Sequence, residues 1–119
     1  MLSLLPSVRV WLCTKPADLR KSFDGLFGLV QQWLGGDPLS GELFVFRNKA
    51  GDRLKILLWE GDGLVIWYKR LEAGTFRFPP AADGTCALAV RPADLLLVLE
   101  GIDLAKVQRR QRYQRLRVA

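Results

Sequence analysis

The chain has no histidine, and this absence removes several kinds of enzyme from consideration. Without an imidazole there is no Ser-His or Cys-His nucleophile pair, no histidine metal ligand and no histidine general base. The two cysteines, Cys13 and Cys86, lie far apart and lack the paired spacing of metal ligands. We interpret them as separate thiols in a reducing compartment, a disulfide being the less favoured alternative, and we predict no metal site and no cofactor.

Long hydrophobic runs are also missing. No stretch approaches the roughly 18 apolar residues that a membrane span needs, and the N-terminal residues show neither the basic segment nor the cleavage site of a secretory signal. We therefore expect a cytoplasmic protein that does not contact a membrane. With 119 residues, half of them hydrophobic, the chain is long enough for one domain with its own core.

Acidic residues are absent from the end of the chain. Residues 105–119 hold six basic side chains and no carboxylate: Lys106, Arg109, Arg110, Arg112, Arg115 and Arg117. Since the whole chain has 18 basic and 12 acidic residues, residues 1–104 have a formal net charge of zero. We divide the chain into one α+β domain, residues 1–104, and a basic C-terminal arm, residues 105–119. The arginines favour phosphate as the ligand of this arm, an acidic protein surface being the other candidate and a solvated arm the third.

Periodicity and turn residues predict an α+β fold. A strand at residues 8–13 precedes an amphipathic helix at residues 17–34, whose apolar residues recur every three or four positions after Pro16. Alternating residues joined by short turns then predict an antiparallel β-meander. Its strands are placed at residues 42–47, 53–59, 64–71 and 75–78, and a further short strand around residues 85–90. Pro92 begins a short C-terminal helix, residues 93–100, that is apolar on nearly every side.

Three carboxylates in this region are the candidates for metal-dependent chemistry. Asp52, Glu60 and Asp62 fall within a few residues of each other, and grouped carboxylates can hold a divalent cation. All three lie beside hairpin turns, where acidic side chains are common for backbone reasons. We therefore expect no enzyme activity, a metal-dependent nuclease being the residual alternative.

Two sets of residues in the body are candidates for binding. The meander carries basic and aromatic side chains together, a combination that stacks on bases and neutralises phosphates. The residues chosen for nucleic-acid binding are Arg53, Lys55, Lys69 and Arg70, from a basic set that also includes Arg47 and Lys49. The same alternation is typical of a half-buried sheet with a solvated face, and this interpretation stays open. Because a helix that is apolar all round is buried or covered by a partner, the candidates for partner binding are Leu95, Leu96 and Leu99.

Several blocks of sequence resemble one protein family. In chain order they are VRVW at residues 8–11, DLRKSFDGL at 18–26, GELFVF at 41–46, DRLKILLW at 52–59, YKRLE at 68–72, GTFRFP at 74–79 and LVLEGID at 97–103. Together they resemble the TnpB accessory proteins of IS66-type bacterial insertion sequences, which are distinct from the RNA-guided nuclease of the same name. The resemblance covers residues 7–103 and therefore does not extend over the basic arm.

The resemblance implies a non-catalytic accessory protein for transposition. Among the matching positions it draws attention to Arg20, Lys21, Asp24 and Glu72, beside the basic residues of the meander, without implying a role for any of them. We expect the protein to act by binding the DNA of its element, the transposase or other products of that element. The alternative is a protein–protein interaction module that does not touch DNA. The sequence predicts no oligomeric state.

Overall fold

The structure, a computed structural model, describes residues 7–80 and 84–107. The described strands are β1 (Val10–Cys13), β2 (Leu43–Arg47), β3 (Arg53–Trp59), β4 (Leu64–Arg70) and β5 (Ala87–Val90). The helices are α1 (Phe23–Trp33), α2 (Pro92–Leu99) and a short 3₁₀ helix (Leu104–Lys106). The strands form one mixed sheet in the order β4-β3-β2-β1-β5, which confirms the predicted α+β class.

The centre of the sheet is the predicted antiparallel meander. Strand β3 lies between β2 and β4 and is antiparallel to both, with Leu57 opposite Phe44 on one side and Ile66 on the other. Strand β1 adds to this meander in parallel with β2, because α1 carries the chain back across the sheet between the two strands. Strand β5 then pairs antiparallel with β1 and ends the described sheet.

Both faces of the sheet are covered, and strand alternation divides the core into two parts. On the first face, Phe44, Phe46 and Leu57 pack with Leu26 and other residues of α1. On the second face, the intervening residues of the same strands pack against α2 and against the segment that carries two buried phenylalanines. These second-face core residues include Val45, Leu54, Ile56, Phe76, Phe78, Leu95 and Val98. Each large apolar side chain buried in this way stabilises the fold by roughly 1.5–3 kcal/mol.

The structure corrects the predicted start of the first helix and one predicted strand. Helix α1 begins at Phe23 rather than at residue 17, because the Asp18 carboxylate accepts a hydrogen bond from the backbone N–H of Arg20 and holds a turn there. Residues 75–78 form no strand. Phe76 and Phe78 are buried on alternate positions, yet the segment covers the second face of the sheet, and the Phe76 N–H donates to the carbonyl of Gly51.

The short C-terminal helix is confirmed as α2, and Gly101 follows it with the positive φ of 80° that ends many helices. Neither α1 nor α2 has the length and apolarity that crossing a bilayer requires, within the part of the chain that is described. Both cysteines are free thiols, and burial raises the pKa of Cys13 to about 11.

Candidate nucleic-acid interface

The loops at one end of the sheet are rich in cations. Strands β1 and β2 end there, β3 begins there and β4 returns there, so residues 14–22, 47–53 and 70–77 come together. We call these three segments the basic end. They contain eight basic and three acidic residues. The basic residues are Lys15, Arg20, Lys21, Arg47, Lys49, Arg53, Arg70 and Arg77.

The opposite end of the sheet has the reverse charge. Residues 7–9, 34–42, 60–63 and 90–94 meet there, since Val10 pairs with both Leu43 and Val90 while Trp59 pairs with Leu64. We call these segments the acidic end. They contain five acidic residues against two basic ones, Arg9 and Arg91. The total formal charge of residues 1–104 is thus zero, but the topology of the sheet places an excess of positive charge at one end and an excess of negative charge at the other.

A cleft of about 550 Å³ opens at the basic end on the α1 side of the sheet, and we call it the first cleft. Its walls are the turn before α1 and the β2–β3 turn, which supply Arg20, Lys49 and Arg53. Tyr68 forms part of the lining and is 48% exposed. The Arg53 Nη1 donates to the Tyr68 hydroxyl at 3.3 Å, so a cation and an exposed ring share one site. This pairing is what stacking on a base together with phosphate neutralisation requires.

Arg20 is held at the mouth of this cleft by Asp18. The Arg20 Nε donates to both Asp18 carboxylate oxygens at 3.0 and 3.1 Å, and Nη2 donates to Oδ2 at 2.7 Å. These hydrogen bonds lower the pKa of Asp18 to about 2. The Arg20 side chain is nevertheless 90% exposed, so the unpaired edge of its guanidinium remains open to an anion.

A smaller cleft of about 390 Å³ continues from the first along β4. It is lined by Arg53 and Tyr68, which it shares with the first cleft, and by Arg70 and Glu72. Arg70 and Glu72 form an exposed ion pair at 3.3 Å, which contributes little at the surface. The predicted residues Arg53 and Arg70 therefore lie side by side at the basic end, opposite each other in the β3–β4 ladder.

The two predicted lysines of the sheet are engaged inside the protein. Lys55 is only 8% exposed, its ammonium lies over the Tyr68 ring and it donates to the backbone carbonyl of Lys21 at 2.9 Å. Lys69 points to the other face and donates to the carbonyl of Leu99 at 3.0 Å, which satisfies the last residue of α2. Because both ammonium groups already have partners, we leave Lys55 and Lys69 out of the proposed interface.

Two of the family-matching positions stand where α1 begins. The side chain of Lys21 passes so close to Gly25 that a Cβ there would lie 2.8 Å from the Lys21 Cβ, which explains a glycine inside the helix. Asp24 is exposed in the first turn of α1, where a carboxylate interacts favourably with the helix dipole. Neither residue lines the first cleft.

The leucines predicted to bind a partner divide into buried and exposed ones. Leu95 and Leu99 belong to the core, with 0% and 8% of their surface exposed, so only Leu96, at 52%, is presented to solvent. Packing of α2 onto the second face of the sheet thus accounts for most of its apolar surface. The predicted arm residues Arg109, Arg110, Arg112, Arg115 and Arg117 lie outside the described residues, whereas Lys106 is exposed in the 3₁₀ helix.

The three carboxylates weighed as a metal site are separated by the length of β3. Asp52 is at the basic end, where it accepts a hydrogen bond from Asn48, whereas Glu60 and Asp62 are in the turn at the acidic end. Residues 7–80 and 84–107 contain no group of acidic or cysteine side chains that could hold a metal ion.

Four basic residues of the basic end are not among the candidates that the sequence indicates: Lys15, Arg47, Lys49 and Arg77. Arg47 and Lys49 belong only to the wider basic set of the meander, Arg77 lies in a predicted strand, and no pattern singles out Lys15. The available signal was the alternation of residues 76–78, where a charged residue separates two phenylalanines. That pattern shows Arg77 to be exposed, but its proximity to Arg47 depends on the course of the chain after β4.

Fold and surface together define a small α+β domain whose sheet carries opposite charges at its two ends. Residues 8–109 match the family described as IS66 Orf2 like protein, and the chain belongs to that family. The match confirms the resemblance found in the sequence and associates the protein with the transposition of this kind of insertion sequence.

Two proteins from Sinorhizobium fredii (strain NBRC 101917 / NGR234) are similar over most of their length. The uncharacterized protein y4jC is 41% identical over 103 residues, covering 87% of this chain and 86% of the relative. The uncharacterized protein y4hO is 44% identical over 103 residues, covering 84% and 88%. No solved structure matches the chain. None of these matches indicates a catalytic activity.

Proposed function

We propose that the protein is a non-catalytic accessory factor for transposition that binds the DNA of its element through the basic end of the sheet and the basic arm. The observation that carries this proposal is the first cleft, where Lys49 and Arg53 stand beside the exposed ring of Tyr68. Membership of the IS66 Orf2-like family, which associates the protein with transposition, supports the DNA of the element as the ligand of this surface.

The charges of the basic end suit a polyanion better than a single anionic group. Arg20, Lys49, Arg53 and Arg70 follow one another along two connected clefts, so a repeating phosphate backbone can engage several of them at once. An arginine binds a phosphate through two parallel hydrogen bonds, which adds geometric fit to the charge. Tyr68 adds a flat surface on which an unpaired base can stack.

The direct test is a binding titration with a labelled duplex carrying the terminal sequence of the element, repeated over a series of salt concentrations. Each phosphate that the protein neutralises contributes about −0.9 to the slope of log K against log salt. We expect a steep slope for the full chain. Absence of salt-dependent binding to this duplex, by the protein alone and with the transposase, would contradict the proposal.

A truncation after Val107 separates the arm from the basic end. It removes five arginines and keeps every residue of the first cleft. The slope should become shallower by up to about 4.5 if all five engage phosphates, while a residual slope from the basic end persists. An unchanged slope would remove the arm from the proposal, and a slope of zero would remove the basic end.

The second candidate function is a protein–protein module that docks on the transposase. The observation that favours it is Leu96, which projects to solvent from an α2 that is otherwise packed on the sheet. Replacing Leu96 by Gln should then abolish co-purification with the transposase and leave the fold intact. Retention of the complex by that variant, with loss of duplex binding in Arg53→Gln, would favour the DNA-binding proposal.

A further inference from the structure

A second cleft lies across the β2–β3 turn from the first. It has a volume of about 370 Å³, and its cations are Arg47, Lys49 and Arg77. Phe76 and Phe78 form its apolar part, and Asp103 and Ala105 bring the start of the 3₁₀ helix to its rim. Lys49 and its neighbour Ala50 also line the first cleft, so the two clefts meet on this turn.

Arg47 is the unusual residue of the second cleft. It is the last residue of β2, and alternation turns its side chain to the second face, where the guanidinium lies 4.7 Å from the centre of the Phe78 ring. The buried Nε has no hydrogen-bond partner among the described residues. Nη1 makes one long hydrogen bond, 3.3 Å, to the carbonyl of Phe76.

Among residues 7–80 and 84–107, no carboxylate pairs with this half-buried charge. Within the described residues none of the ion pairs involves Arg47. Burial lowers the pKa of its guanidinium, which is the direction expected for a positive charge removed from water without a counterion. A group left in this way costs stability, and an anion that enters the cleft would offset the cost.

The other cations of the second cleft are available to the same anion. Arg77 is 57% exposed and approaches Asp103 only at 4.0 Å, the limit of an ion pair. Lys49 is exposed at the tip of the turn. At the rim, Ala105 precedes Lys106, the first basic residue of the arm.

We propose that Arg47, Arg77 and Lys49 form a phosphate-binding site that accepts a phosphodiester group of a nucleic-acid backbone. The site lies between the first cleft and Lys106, the first basic residue of the arm, so one backbone can pass from Lys106 over Arg77 and Arg47 to Lys49 and Arg53. This inference deepens the proposed function and rests on it. A repeating phosphate chain is favoured over a protein carboxylate because a single carboxylate would occupy only one of these cations, whereas consecutive phosphates can pair with each.

The principal test replaces Arg47 by Met, which keeps an apolar stem against Phe78 and removes the charge. Because no carboxylate of the described part of the chain pairs with this charge, the variant should fold as stably as the wild type. The probe is the labelled duplex with the terminal sequence of the element. We expect roughly tenfold weaker binding, because a hydrogen bond to a charged group contributes on this scale, and a salt slope shallower by about 0.9.

Two further variants keep the result interpretable. Arg9→Met removes the same charge at the acidic end and should bind within about twofold of the wild type, since it lies beyond the reach of screened interactions. Arg77→Gln is a surface change that should weaken binding in the same direction as Arg47→Met, and it serves if the Arg47 variant fails to fold. A ¹⁵N spectrum gives a direct readout, because the Arg47 Nε–H resonance should shift when the duplex is added.

The outcomes separate this inference from the function on which it rests. If the wild type binds the duplex, and neither Arg47→Met nor Arg77→Gln weakens binding or changes the slope, the second cleft is not a phosphate site and the proposed function stands. If the wild type itself does not bind the duplex at any salt concentration, the proposed function fails first. An unshifted Arg47 Nε–H resonance at saturating duplex would also overturn the inference.

Discussion

The two ends of the sheet differ in charge although the strands between them are continuous. The basic end has a formal excess of five positive charges and the acidic end an excess of three negative charges. A formal net charge of zero for residues 1–104 conceals this separation. A ligand that binds at one end experiences the electrostatic potential of that end. The total charge of a domain is therefore a poor guide to what it binds.

The separation follows from the connectivity of the sheet. Each loop joins two strands at one end, and the β1–α1–β2 crossover returns the chain so that Cys13 and Arg47 both point to the basic end. Basic residues that are far apart in sequence thereby come together in the first cleft and in the smaller cleft along β4. Arg20, Arg53 and Arg70 illustrate this, since each comes from a different loop or strand.

The largest expected effect on duplex binding comes from reversing one charge at each end of the sheet. Arg53→Glu should weaken duplex binding by about 100-fold, because it removes a charged contact and places a carboxylate against phosphates. Arg9→Glu makes the same change at the acidic end and should alter binding less than about threefold, because salt screens it there. Both variants are measured by fluorescence anisotropy at one salt concentration.

Equal losses in the two arginine variants would show that only the net charge matters. The basic end would then lose its distinct role. Since Arg53 is exposed and its backbone N–H bonds to the Asn48 side chain, the fold should tolerate the change, and circular dichroism of both variants checks this.

Alanine substitutions at Gly51, at the basic end, and Gly61, at the acidic end, test how much each turn contributes to the free energy of unfolding. Both have positive φ, 80° and 94°, so an alanine at either position costs roughly 1–2 kcal/mol. At Gly51 the added Cβ would also lie 3.2 Å from the Cβ of Thr75, whereas at Gly61 it would meet open space. We expect Gly51→Ala to lower the free energy of unfolding by about 2–3 kcal/mol and Gly61→Ala by about 1 kcal/mol, as measured by urea denaturation.

The larger loss at Gly51 would show that the turn between the two clefts is held against the 75–78 segment. If both variants lose the same free energy, the contact with Thr75 is unimportant and the second cleft is less rigid than the structure indicates. In that case Arg47 and Arg77 would not be held in a fixed arrangement for a phosphate.

The sequence predicted the meander and both helices because alternation and periodicity are local properties. It placed β3 at its observed bounds and identified residues 8–13 as containing a strand. It could not predict that β1 lies parallel to β2, because that pairing is decided by the packing of α1 on one face. It left open whether the apolar α2 is buried or covered by a partner, and the structure places Leu95 and Leu99 in the core.

The candidate site was predicted only in part for a related reason. Arg53 and Lys55 were correctly placed on one face, but composition could not show that the Lys55 ammonium donates to the carbonyl of Lys21. The role proposed for Arg47 depends on a buried Nε without a hydrogen-bond partner among the described residues, and only the three-dimensional arrangement of those residues reveals it. Charge separation was invisible in the sequence because the basic residues of the body are spread along the whole chain.

The substitution Asp18→Asn removes the carboxylate that pairs with Arg20 at the basic end. The pKa of Asp18 is lowered to about 2, so the carboxylate stays ionised and paired with Arg20 at any pH used for binding, and the pairing is lost only as the pH falls through that value. Asparagine can still accept the Arg20 N–H through its oxygen, so the turn should remain. We expect duplex binding to tighten roughly threefold, because one competing carboxylate is removed from the first cleft.

Unchanged affinity in Asp18→Asn would mean that Arg20 does not reach the backbone. Asp37→Asn, in a loop of the acidic end, is the matched control and should leave binding unaltered at physiological salt.

Neutralising the acidic end should have the smallest effect, and its dependence on salt is the informative part. Glu60→Gln with Asp62→Asn removes two carboxylates that lie roughly 20 Å from Arg53, since β3 has seven residues at about 3.4 Å each. At that distance in water each charge pair is worth about 0.2 kcal/mol, so binding should tighten about twofold at 0.01 M salt, where the Debye length is about 30 Å. At physiological salt, with a Debye length of about 8 Å, the gain should vanish. A gain that persists there would show that the DNA approaches the acidic end directly, and the contact would then extend along the whole sheet.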